Sequence, residues 1–160
     1  MIRIRPYMDT DEEKILSWCD SEDTCFKWTF GLLGAYPITS EKFQKTGQYM
    51  RFTAIDEDEP AGFFIMRNPG GNLKGLRFGY AIVDPGRRNQ GVGKAMLKLG
   101  LVYAFEIFDA DRVTLGVYEK NYNAAACYKA IGFSDTGALE RYTIDGDEYL
   151  VREMEFLRER

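Results

Sequence analysis

Hydrophobic and polar positions change period several times along the chain, and each change marks an element. Ile2 to Tyr7 alternates apolar with charged side chains, the two-residue period of a half-exposed strand. From Asp9 to about Phe30 the spacing turns helical. Ile15, Trp18 and Cys19 share a face, and Asp11, Glu12 and Glu13 fall where a helix start favours negative charge. Gly31, Gly34 and Pro37 end that run, and Thr39-Ser40-Glu41 predicts the start of another short helix. Met50–Ile55 and Ala61–Met66 then read as strands about a polar turn, Asp56 to Pro60. A second turn, Pro69-Gly70-Gly71-Asn72, leads into a third strand from about Leu76 to Val83.

Beyond Asp84-Pro85-Gly86 the period is helical again. Val92, Ala95, Met96, Leu99 and Val102 form one apolar stripe; Leu97, Leu101, Ala104, Phe105 and Phe108 form a second. A helix apolar on two stripes is largely covered, most simply by a sheet on one side. Val113–Val117 reads as a short strand, and Asn121–Ile131 as a helix with Gly132 as its C-terminal cap. Two terminal strands, about Phe133–Ile144 and Tyr149–Phe156, join through a turn at Asp145-Gly146-Asp147. This order predicts an α/β fold, a mixed central sheet of about seven strands flanked by about four helices.

The length of 160 residues fits one domain spanning 1–160. With 45% hydrophobic and 14% aromatic residues the chain is too apolar to be disordered. No apolar run approaches the ~20 residues of a membrane span. Met1–Thr10 lacks the continuous apolar stretch of a signal peptide. The expectation is a soluble cytoplasmic protein with no membrane partner. A net charge of -4 argues against nucleic acid and suits a cationic substrate somewhat better.

There is no histidine, which removes Ser-His-Asp and Cys-His nucleophile systems and every His-containing metal site. Cys19, Cys25 and Cys127 are an odd count without CxxC spacing, so neither a disulfide framework nor a zinc site follows. They read as small buried hydrophobes in a reducing compartment, and no metal is expected.

The segment Arg88-Asn89-Gln90-Gly91-Val92-Gly93-Lys94 leaves a strand and enters the long helix. Its glycines let backbone approach a ligand, and the unpaired first-turn N–H groups favour an anion there. Arg87, Arg88 and Lys94 add positive charge at the same end. A Walker A loop fails because Val92 and Gly93 stand where Lys and a hydroxyl are needed; a GxGxxG fingerprint fails at Met96. A glycine-rich connection without a ligand stays open. In the next helix Ala124, Cys127, Tyr128 and Ile131 share one face, and Tyr128 alone projects a long polar-tipped side chain from it. Spacing alone favours a core tyrosine over a proton donor.

Together the two segments resemble the GNAT superfamily of N-acetyltransferases. Arg-x-x-Gly-x-Gly at Arg88–Gly93, after Tyr80-Ala81-Ile82-Val83-Asp84-Pro85, is similar to its acetyl-CoA loop. Asn-x-x-Ala-x-x-x-Tyr-x-x-x-Gly-Phe at Asn121–Phe133 resembles its next motif. The resemblance covers about Leu76–Phe133 and implies a GNAT-like fold with acetyl-CoA as cosubstrate and no metal. It implies that backbone amides from Arg88 to Lys94 hold the pyrophosphate, with Asn89, Gln90, Gly91, Val92 and Gly93 between them. Ile82 and Val83, on a splayed strand, would pair with the pantetheine arm, and an N–H near Val83 would polarise the thioester carbonyl. Asn121 would contact the arm, and Tyr128 would protonate the departing thiolate after direct attack by a neutral amine.

Many relatives place a glutamate base in the strands that here read Leu76-Arg77-Phe78-Gly79-Tyr80 and Thr114-Leu115-Gly116-Val117, with glycine where the acid is sought. Glu119 reads as a solvated loop charge, so the base is unassigned and a water chain to a more distant carboxylate is expected. Ile15-Leu16-Ser17-Trp18, Trp28 and Tyr36-Pro37-Ile38-Thr39 resemble the branch that acetylates ribosomal-protein N-termini and polyamines. Asp20, Glu22 and Asp23, and again Asp56–Glu59, then suggest a polyamine or other small cationic amine as acceptor, against ordinary solvated surface. A peptide N-terminus or lysine as acceptor, or a non-catalytic coenzyme A-binding module, are the alternatives. The resemblance also implies a homodimer through the terminal strands.

Overall fold

The computed structural model describes residues 1–144 and 146–159. Along the chain follow β1 (Arg3–Pro6), α1 (Glu12–Trp18), α2 (Glu22–Thr29), α3 (Ser40–Phe43), β2 (Met50–Asp56) and β3 (Glu59–Arg67). Then come β4 (Gly75–Val83), α4 (Val92–Val102), β5 (Arg112–Tyr118), α5 (Tyr122–Ile131), β6 (Ser134–Ile144) and β7 (Asp147–Leu157). The seven strands among the described residues make one sheet, ordered β1-β2-β3-β4-β5-β7-β6. Only the β4–β5 pair is parallel, so the sheet is mixed as its pattern predicts.

Both faces of the sheet are covered, which is why Ala61–Met66 reads as an unbroken apolar run. Phe64 and Met66 face α4 and α5, in a core with Phe52, Phe78, Leu97 and Leu115. Phe63 and Ile65 face the other way, onto Ile15, Trp18, Trp28 and Phe43 from α1 to α3. Burying a side chain as fully as Phe43, Phe63 or Phe64 contributes about 2–3 kcal/mol.

The expected helix from Asp9 to Phe30 is two helices, which raises the count among the described residues to five. Ser21 is extended and its Oγ accepts from Thr24 N–H at 3.1 Å, starting α2 afresh after α1 ends at Cys19. The long helix after Gly91 is regular to Val102 and closes in a π-turn, with Phe108 N–H donating to Tyr103 O at 3.1 Å. The first hairpin turn is tighter than expected. Glu57 and Asp58 both take positive φ, the primed geometry that matches sheet twist, while Pro60 pairs with Ile55 inside β3. The turn expected at Asp145-Gly146-Asp147 includes Asp145, which lies outside the described residues.

Asp11 ties β1, β2 and α1 together. It is buried and accepts from Arg5 at 2.8 Å through both oxygens, from Met8 N–H at 3.0 Å and from Thr53 Oγ1 at 2.8 Å. Burial opposes its charge, but Arg5 and these hydrogen bonds outweigh that and hold the carboxyl below its usual range. Among the described residues no helix is long and apolar enough to cross a membrane, and no three His, Cys, Asp or Glu side chains group as metal ligands.

Candidate active site

The site begins where β4 and β5 part. They pair at Gly75–Arg112, Leu76–Val113 and Arg77–Thr114 and then diverge. A bulge in β4 accompanies the divergence: the β3 register jumps from Phe63–Ile82 to Ile65–Gly79, so Tyr80 and Ala81 together oppose Phe64. Such a bulge bends its strand and strengthens the twist. Tyr80 holds φ 45, and Trp28 Nε1 donates to its carbonyl at 2.8 Å, pinning the bulge to α2. Beyond it, Asp84 N–H donates to Ala61 O at 2.9 Å. By the strand's period of two, Ile82 aims its peptide groups at β3 as well. Val83 therefore turns its N–H and C=O towards the gap.

The loop after β4 ends in an open helix terminus. Asn89 and Gly91 take φ 62 and φ 78, and Gly91 caps α4 with no side chain. A Cβ at Gly91 would meet nothing within 4 Å, so open space adjoins the capping residue, and the first-turn amides of Val92, Gly93 and Lys94 have no partner within the helix. A Cβ at Gly93 would lie 3.4 Å from Val83 Cγ2, which seats the helix start beside the end of β4. Free amides, a positive dipole end and exposed Arg88, Asn89, Gln90 and Lys94 side chains fit a phosphate group. Arg87 does not join them. Its guanidinium turns back onto Asp56 and Asp84 of the same sheet end.

From α5, Asn121 Oδ1 accepts from Ala124 N–H at 3.3 Å, so this side chain caps its own helix. Tyr128 lines a cavity of about 360 Å³ in the β4–β5 gap, and its ring packs edge-on to Phe133 at 6.2 Å. Among the described residues its hydroxyl has no hydrogen-bond partner, unlike a core tyrosine satisfied by a carbonyl. Burial, and then Cys127 beside it, pushes the phenol up to about 12.

Trp28, Phe30, Leu33, Ile65, Leu97 and Leu115 give the cavity apolar walls. Its charged lining is wholly cationic among the described residues: Lys27, Lys45, Arg67 and Arg77. Burial raises the phenols of Tyr80 and Tyr142, which also line it. Of the two glycines that stand where an acid is sought, Gly116 is closed, because a Cβ there would lie 2.9 Å from Val151 and 3.0 Å from Arg77 Nη2, whereas a Cβ on Gly79 would meet only Ile65, at 3.4 Å. Glu119 pairs with Arg152 at 3.3 Å, away from this cavity. Asp20, Glu22 and Asp23 are exposed and do not line it. Asp56, Asp58 and Glu59 are engaged by Met1, Arg3, Lys14 and Arg87.

The sequence singles out the loop and Tyr128 as candidates, but not the other cavity-lining residues Lys45, Arg67, Arg77 and Tyr142. The available signal is two arginines inside strand runs, Ile65-Met66-Arg67 and Leu76-Arg77-Phe78, where an apolar side chain is ordinary.

The Acetyltransferase (GNAT) family model matches residues 13–133. A peptidyl-lysine N-acetyltransferase of Salmonella typhimurium is 30% identical over 146 residues, covering 88% of each chain. Mycothiol acetyltransferase of Salinispora arenicola is 35% identical over 66% of this chain, which spans only 42% of that protein's length. The spermine/spermidine N(1)-acetyltransferase of Bacillus subtilis is 29% identical over 66% of this chain and 60% of its own. In fold, the spermidine N-acetyltransferase of Vibrio cholerae, solved with CoA and spermine, superposes with a TM-score of 0.80 at 18% identity, covering 98% of this chain and 95% of that one. The chain belongs to the GNAT family of acetyl-CoA-dependent N-acetyltransferases.

Proposed function

We propose that this protein transfers an acetyl group from acetyl-CoA to a small primary amine bound in the β4–β5 cavity. The observation that carries this reading is Tyr128, which lines that cavity with a hydroxyl that has no hydrogen-bond partner among the described residues. When bound, acetyl-CoA supplies an acyl group already activated as a thioester. The amides of Arg88 to Lys94 would hold its pyrophosphate, and Val83, with both peptide groups turned to the gap, would hold its arm. Ile82 supports the strand edge from within the β3 ladder, and Asn121 fixes the start of α5. Tyr128 keeps its proton through burial and offers it to the departing sulfur.

No carboxylate among the described residues lines the cavity to take the amine's proton. The cationic lining takes no proton, but nearby positive charge lowers the amine's own pKa, so that the amine gives its proton to water and attacks in its neutral form. A polyamine is the acceptor of the Bacillus subtilis relative by its name. The acidic residues that suggest a polyamine here stand outside the cavity wall, so the lining does not support it. The cavity volume of about 360 Å³ favours a small acceptor over a folded protein surface. β6 is exposed along most of its length at the sheet edge, which supports a second copy pairing there.

Release of free thiol from acetyl-CoA across a panel of small amines, with mass detection of the acetylated product, tests the reading. Product from at least one small amine is expected. Acetyl-CoA binding without turnover on any amine would favour a coenzyme A-binding module; turnover on peptides alone would favour a protein acetyltransferase.

A further inference from the structure

Arg67 and Arg77 are register partners across the antiparallel β3–β4 pair, so two guanidinium side chains start from opposed positions on one face. Like charges placed this way repel and destabilise a sheet. Arg77 has an answer within the fold: its Nη1 donates to Glu153 Oε1 at 2.6 Å and to Thr114 Oγ1 at 3.2 Å. Lys27 pairs with Asp23 at 2.9 Å. Arg67 is half-buried, Lys45 is exposed, and among the described residues neither has a carboxylate partner. Both line the cavity that receives Tyr128. Arg67 lines the cavity together with Tyr80 and Tyr142, and its charge opposes the rise that burial gives their phenols.

An unpaired, half-buried guanidinium next to a second one is a receptor for a planar anion, which it can grip through two parallel N–H bonds. The surrounding walls, Trp28, Phe30, Leu33 and Ile65, are apolar and suit the body of a small organic molecule. Resting on the acetyl-transfer reading above, we infer that the acceptor is a small primary amine that also carries a carboxylate, held at Arg67 with Lys45 and Arg77 close behind. The amine end then lies towards Tyr128. This acceptor reverses the charge expected from the acidic surface clusters, because those clusters do not reach the cavity.

The test compares carboxylated amines of graded length, from glycine to 6-aminohexanoate and including L-leucine, each against its own amide, with spermidine alongside. For the best acid, kcat/KM is expected to exceed that of its amide by about tenfold or more. Arg67→Gln is expected to bring that ratio close to one, mainly through KM, and Arg67→Lys to keep part of it. Arg67→Gln is expected to melt no lower than the parent, since it removes one of two opposed charges. Preference for amides or spermidine, or equal loss on acid and amide in Arg67→Gln, overturns the inference.

Calorimetric titration of the same acids and amides into the protein without acetyl-CoA reads the anion site apart from turnover. Binding of acids that is lost in Arg67→Gln supports it; no binding by any acid overturns it. Failure of acetyl-CoA itself to bind would instead defeat the transferase reading.

Discussion

Arg67 on β3 stands opposite Arg77 on β4, and among the described residues Arg77 has a carboxylate, Glu153, at 2.6 Å while Arg67 has none. The two arginines and Glu153 therefore form an unbalanced trio, in which both arginines line the cavity and Glu153 does not. Glu153→Gln leaves two guanidiniums uncompensated and is expected to lower stability by about 2–3 kcal/mol. Adding Arg67→Gln to that variant is expected to restore part of the loss. Thermal melts of the four proteins in this cycle decide it; strictly additive effects would show that the trio is uncoupled.

Tyr128→Phe removes the hydroxyl while keeping the ring that packs on Phe133. The expected result is a fall in kcat of about a hundredfold with little change in acetyl-CoA affinity. Steady-state kinetics with calorimetry separate the two. An unchanged kcat would return Tyr128 to the role of a core residue.

The pH profile follows from what the cavity contains and what it lacks. The Tyr128 phenol, pushed up to about 12 by burial, holds its proton beyond the usual tyrosine range and gives no alkaline loss near neutrality. With no carboxylate lining the cavity among the described residues, kcat/KM is expected to rise with pH until the acceptor amine itself is neutral. A profile that levels off near about pH 7 would reveal a general base with a tuned pKa.

The loop is tested through Gly91. Its φ of 78 is costly for any side chain, and Gly91→Glu also puts negative charge before the open amides of α4. Acetyl-CoA at about 100 times its Kd is expected to stabilise the parent by about 2.7 kcal/mol and to leave the melting of Gly91→Glu unmoved.

How legible this site was depends on how local each part is. The loop and Tyr128 lie in two continuous segments, each on a helix whose period and caps, Gly91, Asn121 and Gly132, are written beside it. The cationic wall is not local. Lys45, Arg67, Arg77 and Tyr142 come from four separate segments, and only the strand order brings them together. Arg87 read as part of the positive charge at the loop for the same reason in reverse, since Asp56, which engages it, lies on a hairpin 31 residues away. The split between α1 and α2 hid behind two helices that bury their apolar faces in one core, although Ser21 and the acids after it were a readable start signal.

Asp11 makes a prediction about acid stability. Burial alone would raise its pKa, yet Arg5, Met8 N–H and Thr53 lower it below the unfolded value of about 3.9. The stabilisation is thus fully present above that unfolded value and is lost as pH falls through the folded one. Asp11→Asn is expected to cost about 3 kcal/mol at neutral pH and to flatten the acid limb of a denaturation series. A parallel, merely shifted acid limb would assign that limb to other carboxylates.

The most direct measurement is calorimetric titration of the protein with acetyl-CoA, with ATP and NAD as controls in the same buffer. Saturable binding of one acetyl-CoA per chain, with neither nucleotide bound, is expected of a loop that holds the coenzyme's pyrophosphate. A folded protein that binds no acetyl-CoA, or binds ATP or NAD as well, would contradict it.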